Sequence, residues 1–379
     1  MKLFKAITFA LFALTFSLGE ALAQESPMPE DMKKALSEKY KGKSYSPYAA
    51  RDFPNQLLWG DSHLHTGYSF DAGTAGCILT PEDAYRFARG EEVISSFGIP
   101  VKLSRPLDWL AVTDHTDNMG FILDLIAGDQ TILATPEGKD WYDRLASASK
   151  DEKPEIAYDI IKALMVTKTF PMEIYYGPES AGYKSTWESI VRIAEQYNDP
   201  GNFTAIIGYE WTSTGEGNNL HRNVLYREGA DKALQMLPFT TVEPLGSLDP
   251  MELWNWMTRY EEKTGGNVLA IAHNGNLSNG IMFPSETRYN DEPVDEAYAM
   301  ARAKWEPLYE ITQIKGDGEA HPFLSPNDEF ADYYNWDVGN LDLSEAKTED
   351  MLAREYAREG LKIGLALEAQ FGTNPYKFG

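Results

Sequence analysis

Two histidines two residues apart, His63 and His65 in LLWGDSHLHTGYSFD, are the first residues whose types and spacing suit chemistry. In an extended strand residues i and i+2 share a face, so both imidazoles project from one side of a strand end, close enough to hold one metal ion. Asp71 follows in a Gly/Ser/Asp-rich turn that can fold an oxygen ligand back over the pair. The chain holds 6 histidines, and their addresses agree. His63, His65, His115 and His273 end or nearly end an apolar run, His221 begins one after a turn, and His321 lies in a loop shortly after one. Glu210 closes the β-rich run FTAIIGYEW, a costly place for a carboxylate unless it is paired or metal-bound. Asp114 precedes His115, so their side chains diverge. His115 is therefore assigned to a metal and Asp114 to bracing the turn.

Strand ends must bring these residues together. The sequence predicts strands over Leu57–His65, Pro106–His115, Phe203–Trp211, His221–Arg227, Val268–His273, Leu308–Ile314 and Ile363–Leu367. Helices are expected after the Thr80-Pro81-Glu82-Asp83 cap, over Asp249–Thr264 and over Ser344–Glu359. Residues 117–200 read as a helical insertion, with Trp187, Ile190, Val191 and Ala194 on one helical face. Strands alternating with helices imply an α/β fold with a parallel sheet, open or closed; in a closed barrel the strand ends converge on one mouth, where active sites sit.

Composition narrows the partners. Residues 1–23 have the layout of a secretory signal peptide: Lys2 and Lys5, a short apolar core, and Ala21-Leu22-Ala23 before the cut expected after Ala23. That address implies secretion to the periplasm. Residues 24–56 read as a polar N-terminal surface segment and 57–379 as one domain that carries all six histidines. The formal charge of −24 repels phosphate backbones and anionic lipid, which argues against nucleic-acid and membrane partners once the signal is removed. Cys77, the single cysteine, excludes intrachain disulfides and cysteine-based zinc sites. Nothing in the chain specifies an oligomeric state.

The ordered motifs GDSHLHTGYSFDA, LAVTDHTD, IIGYEW, LHRNVLY and AIAHNGN resemble the polymerase-and-histidinol-phosphatase (PHP) superfamily, and the GDSHLHT opening resembles its secreted DUF3604 group. The resemblance runs from about Leu57 to the C-terminus. It implies a distorted (β/α)7 TIM-like barrel, two or three divalent ions (Zn, Mn or Fe), and phosphoester hydrolysis. By motif, His63 and His65 would bind one ion, Glu210 would bridge it to a second served by His115 and His221, and Asp71 and His273 would serve a third ion or the shared edge. His321 has no counterpart in the superfamily pattern. The late Gly-Ser-x-Asp-x-His-like closing motif is not found before Gly379, so the resemblance implies an incomplete barrel lacking its last strand.

The chemistry expected is attack by a metal-bridging hydroxide on a small anionic phosphoester. Candidate catalytic residues are Glu210, His221 and His321. Arg105, Arg222, Asn274 and Lys315 are candidates for holding the substrate. A binuclear site can equally attack an acyl bond, as in amidohydrolases. A second class, a non-catalytic periplasmic metal-binding protein, also fits the acidity and the missing motif.

Overall fold

The computed structural model describes Lys34 and residues 56–149, 152–165 and 167–379. The expected signal peptide, residues 1–23, and the surface segment apart from Lys34 and Gln56 lie outside the described residues.

Six strands pair in chain order: β1 (Gly60–Leu64), β2 (Trp109–Val112), β3 (Thr204–Trp211), β4 (Arg222–Tyr226), β5 (Val268–His273) and β6 (Leu308–Glu310). β1, β2 and β3 pair in parallel, as do β5 and β6, whereas β4 runs antiparallel to both its neighbours. The sheet is thus mixed rather than the parallel one the sequence implied. The physical reason is the link over residues 212–221, shorter than the dozen or more residues a parallel crossover needs. The reversal carries the start of β4 to the end where its neighbours finish. His221, which precedes β4, thereby joins histidines that follow or close the parallel strands.

The sheet curls into a half-barrel. Ile206, Gly208 and Glu210 share one face of β3, and Leu269, Ile271 and His273 share one face of β5. Ala111, Leu225 and Ile271 form a small apolar cluster, with Ile206 and Leu269 packed against it. Glu210 and His273 therefore stand above a dry layer. Gly208 is required by close approach, because a Cβ there would lie 2.9 Å from Leu225 and 3.0 Å from Thr113. Across the concave face Asn223 of β4 donates to the Ser62 carbonyl of β1 at 3.3 Å.

Helices cover the sheet: α1 (Phe70–Thr74), α2 (Pro81–Ala88), α3 (Phe121–Ala127), α4 (Pro136–Ser147), α5 (Lys153–Met165), α6 (Ala181–Tyr197), α7 (Pro250–Thr264), α8 (Glu296–Trp305) and α9 (Ala357–Phe371). The α6 stripe of Trp187, Ile190, Val191 and Ala194 is buried as its spacing requires. α3 to α6 form the helical insertion. The turn after His115 anchors it: Tyr175 donates from its hydroxyl to Asp117 at 2.7 Å, and Tyr176 donates from its backbone N–H to Asn118 Oδ1 at 2.8 Å. Among the described residues no helix is long and apolar enough to cross a membrane.

The C-terminal expectations need correction. Ile363–Leu367 is not a strand but part of α9, and the helix expected over Ser344–Glu359 is largely irregular, with one short turn at Glu349–Leu352. The contiguous apolar run IGLAL suggested a strand. Burial instead recurs at Ala357, Gly360, Gly364 and Leu367, a helical spacing that leaves Leu365 exposed.

A candidate metal centre built on one buried carboxylate

Glu210, at the end of β3, is 1 % exposed and faces five imidazoles. Its Oε1 lies 2.7 Å from His221 Nδ1, 3.0 Å from His273 Nε2 and 3.6 Å from His115 Nδ1. Its Oε2 lies 2.9 Å from His65 Nε2 and 3.2 Å from His63 Nε2. Register explains the convergence. His115 bridges Glu210 in parallel just past β2, and His273 pairs with Glu310 between β5 and β6. His63 and His65 project together from the end of β1, their Nε2 atoms 3.0 Å apart.

Hydrogen bonds fix each ring. His63 Nδ1 contacts Glu310 Oε2 at 2.8 Å, and His221 Nε2 contacts Thr214 Oγ1 at 2.9 Å. His115 Nδ1 meets the Thr212 hydroxyl, which itself donates to the Glu210 carbonyl at 3.2 Å. Ser69, fully buried, ties three groups together. Its hydroxyl meets His65 Nδ1 at 2.8 Å, donates to Asp71 Oδ1 at 2.8 Å, and accepts the His115 backbone N–H at 3.0 Å. With Nδ1–H of His63 and His65 given to oxygen acceptors, each Nε2 faces the centre and offers its lone pair there once its proton has left. Asp114 accepts from the Thr66 N–H at 2.5 Å and from its hydroxyl at 2.8 Å, and so braces the turn that follows β1.

The charges are arranged unequally. Burial opposes charge on His63 and His65, yet Glu210 together with Glu310 or Asp71 outweighs it, raising the rings to about 9 and about 10. Deeper in, burial keeps His221 and His273 neutral, His221 falling to about 3. Burial also pushes the Glu210 carboxyl up, but His115, His273 and His221 more than offset this and hold it well below the usual carboxylate range. An ionised carboxylate thus sits at the bottom of a ring of imidazoles, and the more protonatable pair lies toward solvent.

Two donor groups share Glu210: His63 with His273, and His65 with His115. The resemblance implies a different pairing, His63 with His65 and His115 with His221, and the Nε2 atoms of His63 and His65 both lie beside Glu210 Oε2 as that pairing requires. His221 stands outside both groups and orients Glu210. Asp71 also stands outside, its carboxylate 3.4 Å from His65 Nδ1 and 3.3 Å from His115 Nε2, with its side chain 48 % exposed. The donor set fits divalent cations in two respects. Imidazole nitrogens and a carboxylate are ligands for Zn, Mn or Fe. Moreover, His273 Nδ1 is buried without a hydrogen bond, which protein groups rarely tolerate.

Other candidates fall elsewhere. His321 contacts Asp337 at 2.9 Å and the Tyr356 ring, and it joins neither donor group. Arg222 does not face a substrate: it is 1 % exposed and its Nε donates to Glu306 at 2.9 Å, because its register on β4 points it away from Asn223 and the concave face. Arg105 is exposed and precedes β2, at the end of the strand remote from His115. Asn274 is buried in a left-handed turn (φ 51°) after β5. Lys315 sits in a tight hairpin, and its carbonyl accepts from Asn276 at 3.1 Å. Sequence reasoning missed Glu310 and Ser69. Glu310 offered the same signal as Glu210, an acid inside the apolar run LYEITQI.

Fold and site together define a mixed α/β protein with a buried histidine–carboxylate centre at the end of a curled sheet. The chain belongs to the DUF3604 family, described as a protein of unknown function, whose family model matches residues 52–379. No curated protein and no solved structure matches it significantly.

Proposed function

We propose that this protein is a metal-dependent hydrolase of the PHP type, secreted to the periplasm, acting on a small anionic phosphoester. The reading takes the half-barrel as a PHP-like barrel and the centre as holding two or three ions of Zn, Mn or Fe. One observation carries it: a single buried, ionised carboxylate is shared by two histidine groups, the arrangement expected of a bridging ligand.

Bound ions would supply Lewis acidity, lowering the pKa of water at the site and neutralising charge on the substrate. The chain's own residues do the rest. Glu210 holds the two histidine groups in one place, and His221, itself held by Thr214, orients Glu210. Glu310 and Ser69 fix the tautomers of His63 and His65. Asp71, half-exposed beside His65 and His115, is placed to accept a proton from an incoming water.

Hydrolysis of p-nitrophenyl phosphate, bis-p-nitrophenyl phosphate and p-nitrophenyl acetate by metal-analysed protein tests the proposal. Phosphoester turnover that disappears with chelator supports it. Turnover of the acyl ester alone indicates amidohydrolase-like chemistry, and a fully loaded protein inert to all three indicates a metal-binding role.

A further inference from the structure

β4 and β5 pair from Tyr226 with Val268 to Arg222 with Ala272, one residue short of His221 and of His273. Both of those rings meet one atom, Glu210 Oε1, at 2.7 and 3.0 Å. Their separation is therefore set beyond the last backbone pair that aligns their strands. Asn219 makes the connection there. It is 1 % exposed, and its side-chain Nδ2 donates to the His273 carbonyl at 2.8 Å and to the Asn274 carbonyl at 3.3 Å. Both amide protons thus serve the main chain at the end of β5.

Asn219 itself belongs to the hairpin that leads into His221. Thr214 pairs with Asn219, and Gly215 with Asn218. Glu216 (φ 54°) and Gly217 (φ 80°) between them are both left-handed, as a two-residue hairpin turn demands. The stem holds the ring, since Thr214 Oγ1 contacts His221 Nε2 at 2.9 Å. The turn is pinned from outside. Asn340, fully buried, donates from Nδ2 to the Glu216 carbonyl at 3.1 Å, and the Leu341 N–H donates to the Gly217 carbonyl at 2.9 Å. The hairpin is thus fixed at its turn by Asn340 and at its stem by Asn219.

We infer that Asn219 is a positioning residue of the centre: its amide takes over where the β4–β5 ladder stops and fixes how far apart His221 and His273 stand at Glu210. A buried carbonyl deprived of its donor costs stability wherever it lies, and that alone would make Asn219 structural. The difference is that one side chain spans the two segments whose rings share one oxygen. Loosening it moves both rings against Glu210. The inference concerns the geometry of the centre rather than the bond it cleaves, and so goes beyond the hydrolase reading.

Magnetic resonance of the metal-free full chain, with nitrogen-labelled histidine, tests this on Asn219→Leu, which keeps the shape and removes both donors, and on Asn219→Ser, which keeps one. In Asn219→Leu the His221 and His273 ring signals are expected to shift or broaden, while His321, which joins neither donor group, keeps its wild-type signal. Asn219→Ser should show the same change at smaller size. Zn²⁺ affinity, read against a chromogenic chelator, should fall about tenfold in Asn219→Leu. Wild-type ring signals or an unchanged Zn²⁺ affinity overturn the inference even if the melting temperature drops, because a structural role moves stability alone. Should neither variant fold, wild type decides: the Asn219 side-chain protons are expected to exchange with solvent as slowly as the buried β5 amides, and fast exchange overturns the inference. Turnover enters none of these readings, so an inert protein would sink the hydrolase reading and leave Asn219 in its role.

Discussion

His63 on β1 and Glu310 on β6 touch at 2.8 Å although their strands form the two edges of the sheet and do not pair. The sheet's curl is thus read out by one side-chain contact, and the centre lies where its first and last strands approach. That contact joins a ring facing Glu210 to a carboxylate oriented in turn by Gln313 at 2.9 Å.

Glu310→Ala should therefore weaken metal binding by about 10- to 100-fold without unfolding the protein, the usual cost of removing a carboxylate behind a ligating histidine. Competition with a chromogenic chelator measures this. Unchanged affinity would remove Glu310 from the centre.

Loading the centre should release protons. At pH 7 the metal-free protein carries charge on His63 and His65, whose rings are raised to about 9 and about 10. Their contribution to the stability of the metal-free fold is fully present below pH 6.5, their unperturbed value, and is lost as pH rises through about 9 and about 10. Metal binding has the opposite sign, because it requires neutral rings and strengthens over the same window. Calorimetry in buffers of different ionisation enthalpy should show about two protons released per loaded centre at pH 7. Zero release would mean that His63 and His65 are already neutral before the metal arrives.

Arg222→Met should act on stability rather than on KM. Arg222 and Arg302 clamp Glu306 at 2.9 and 3.1 Å, and Trp254 donates to the same carboxylate at 3.1 Å. Removing one partner of a buried pair costs about 3 kcal/mol, somewhat relieved in this case because Arg302 remains. Urea unfolding checks the loss, and the folded fraction should keep its metal. A stable variant with raised KM would return Arg222 to the substrate.

The site was more legible than the fold around it. Histidines and Glu210 at the ends of apolar runs announced themselves because charge or polarity at such positions needs a partner. The start of β4 was legible too, since His221 opens a run instead of closing one. The reversal behind it depends on the length of a link that local patterning does not weigh. α9 was missed because the short apolar run IGLAL has no periodicity of its own; only its packing, with Gly360 against the Phe283 ring, selects a helix. The pairing of Arg222 with Glu306 was not legible because alternation along a strand decides which way a side chain points, and register is a tertiary property.

Metal stoichiometry of the full chain tests the shared centre most directly. Elemental analysis of wild type, His273→Ala, His115→Ala and Glu210→Ala after equal loading should give at least two ions per chain in wild type. Each histidine variant should lose about one, and Glu210→Ala should lose both, because its carboxylate belongs to both donor groups. Glu210→Ala retaining the wild-type load would contradict a centre built on that carboxylate.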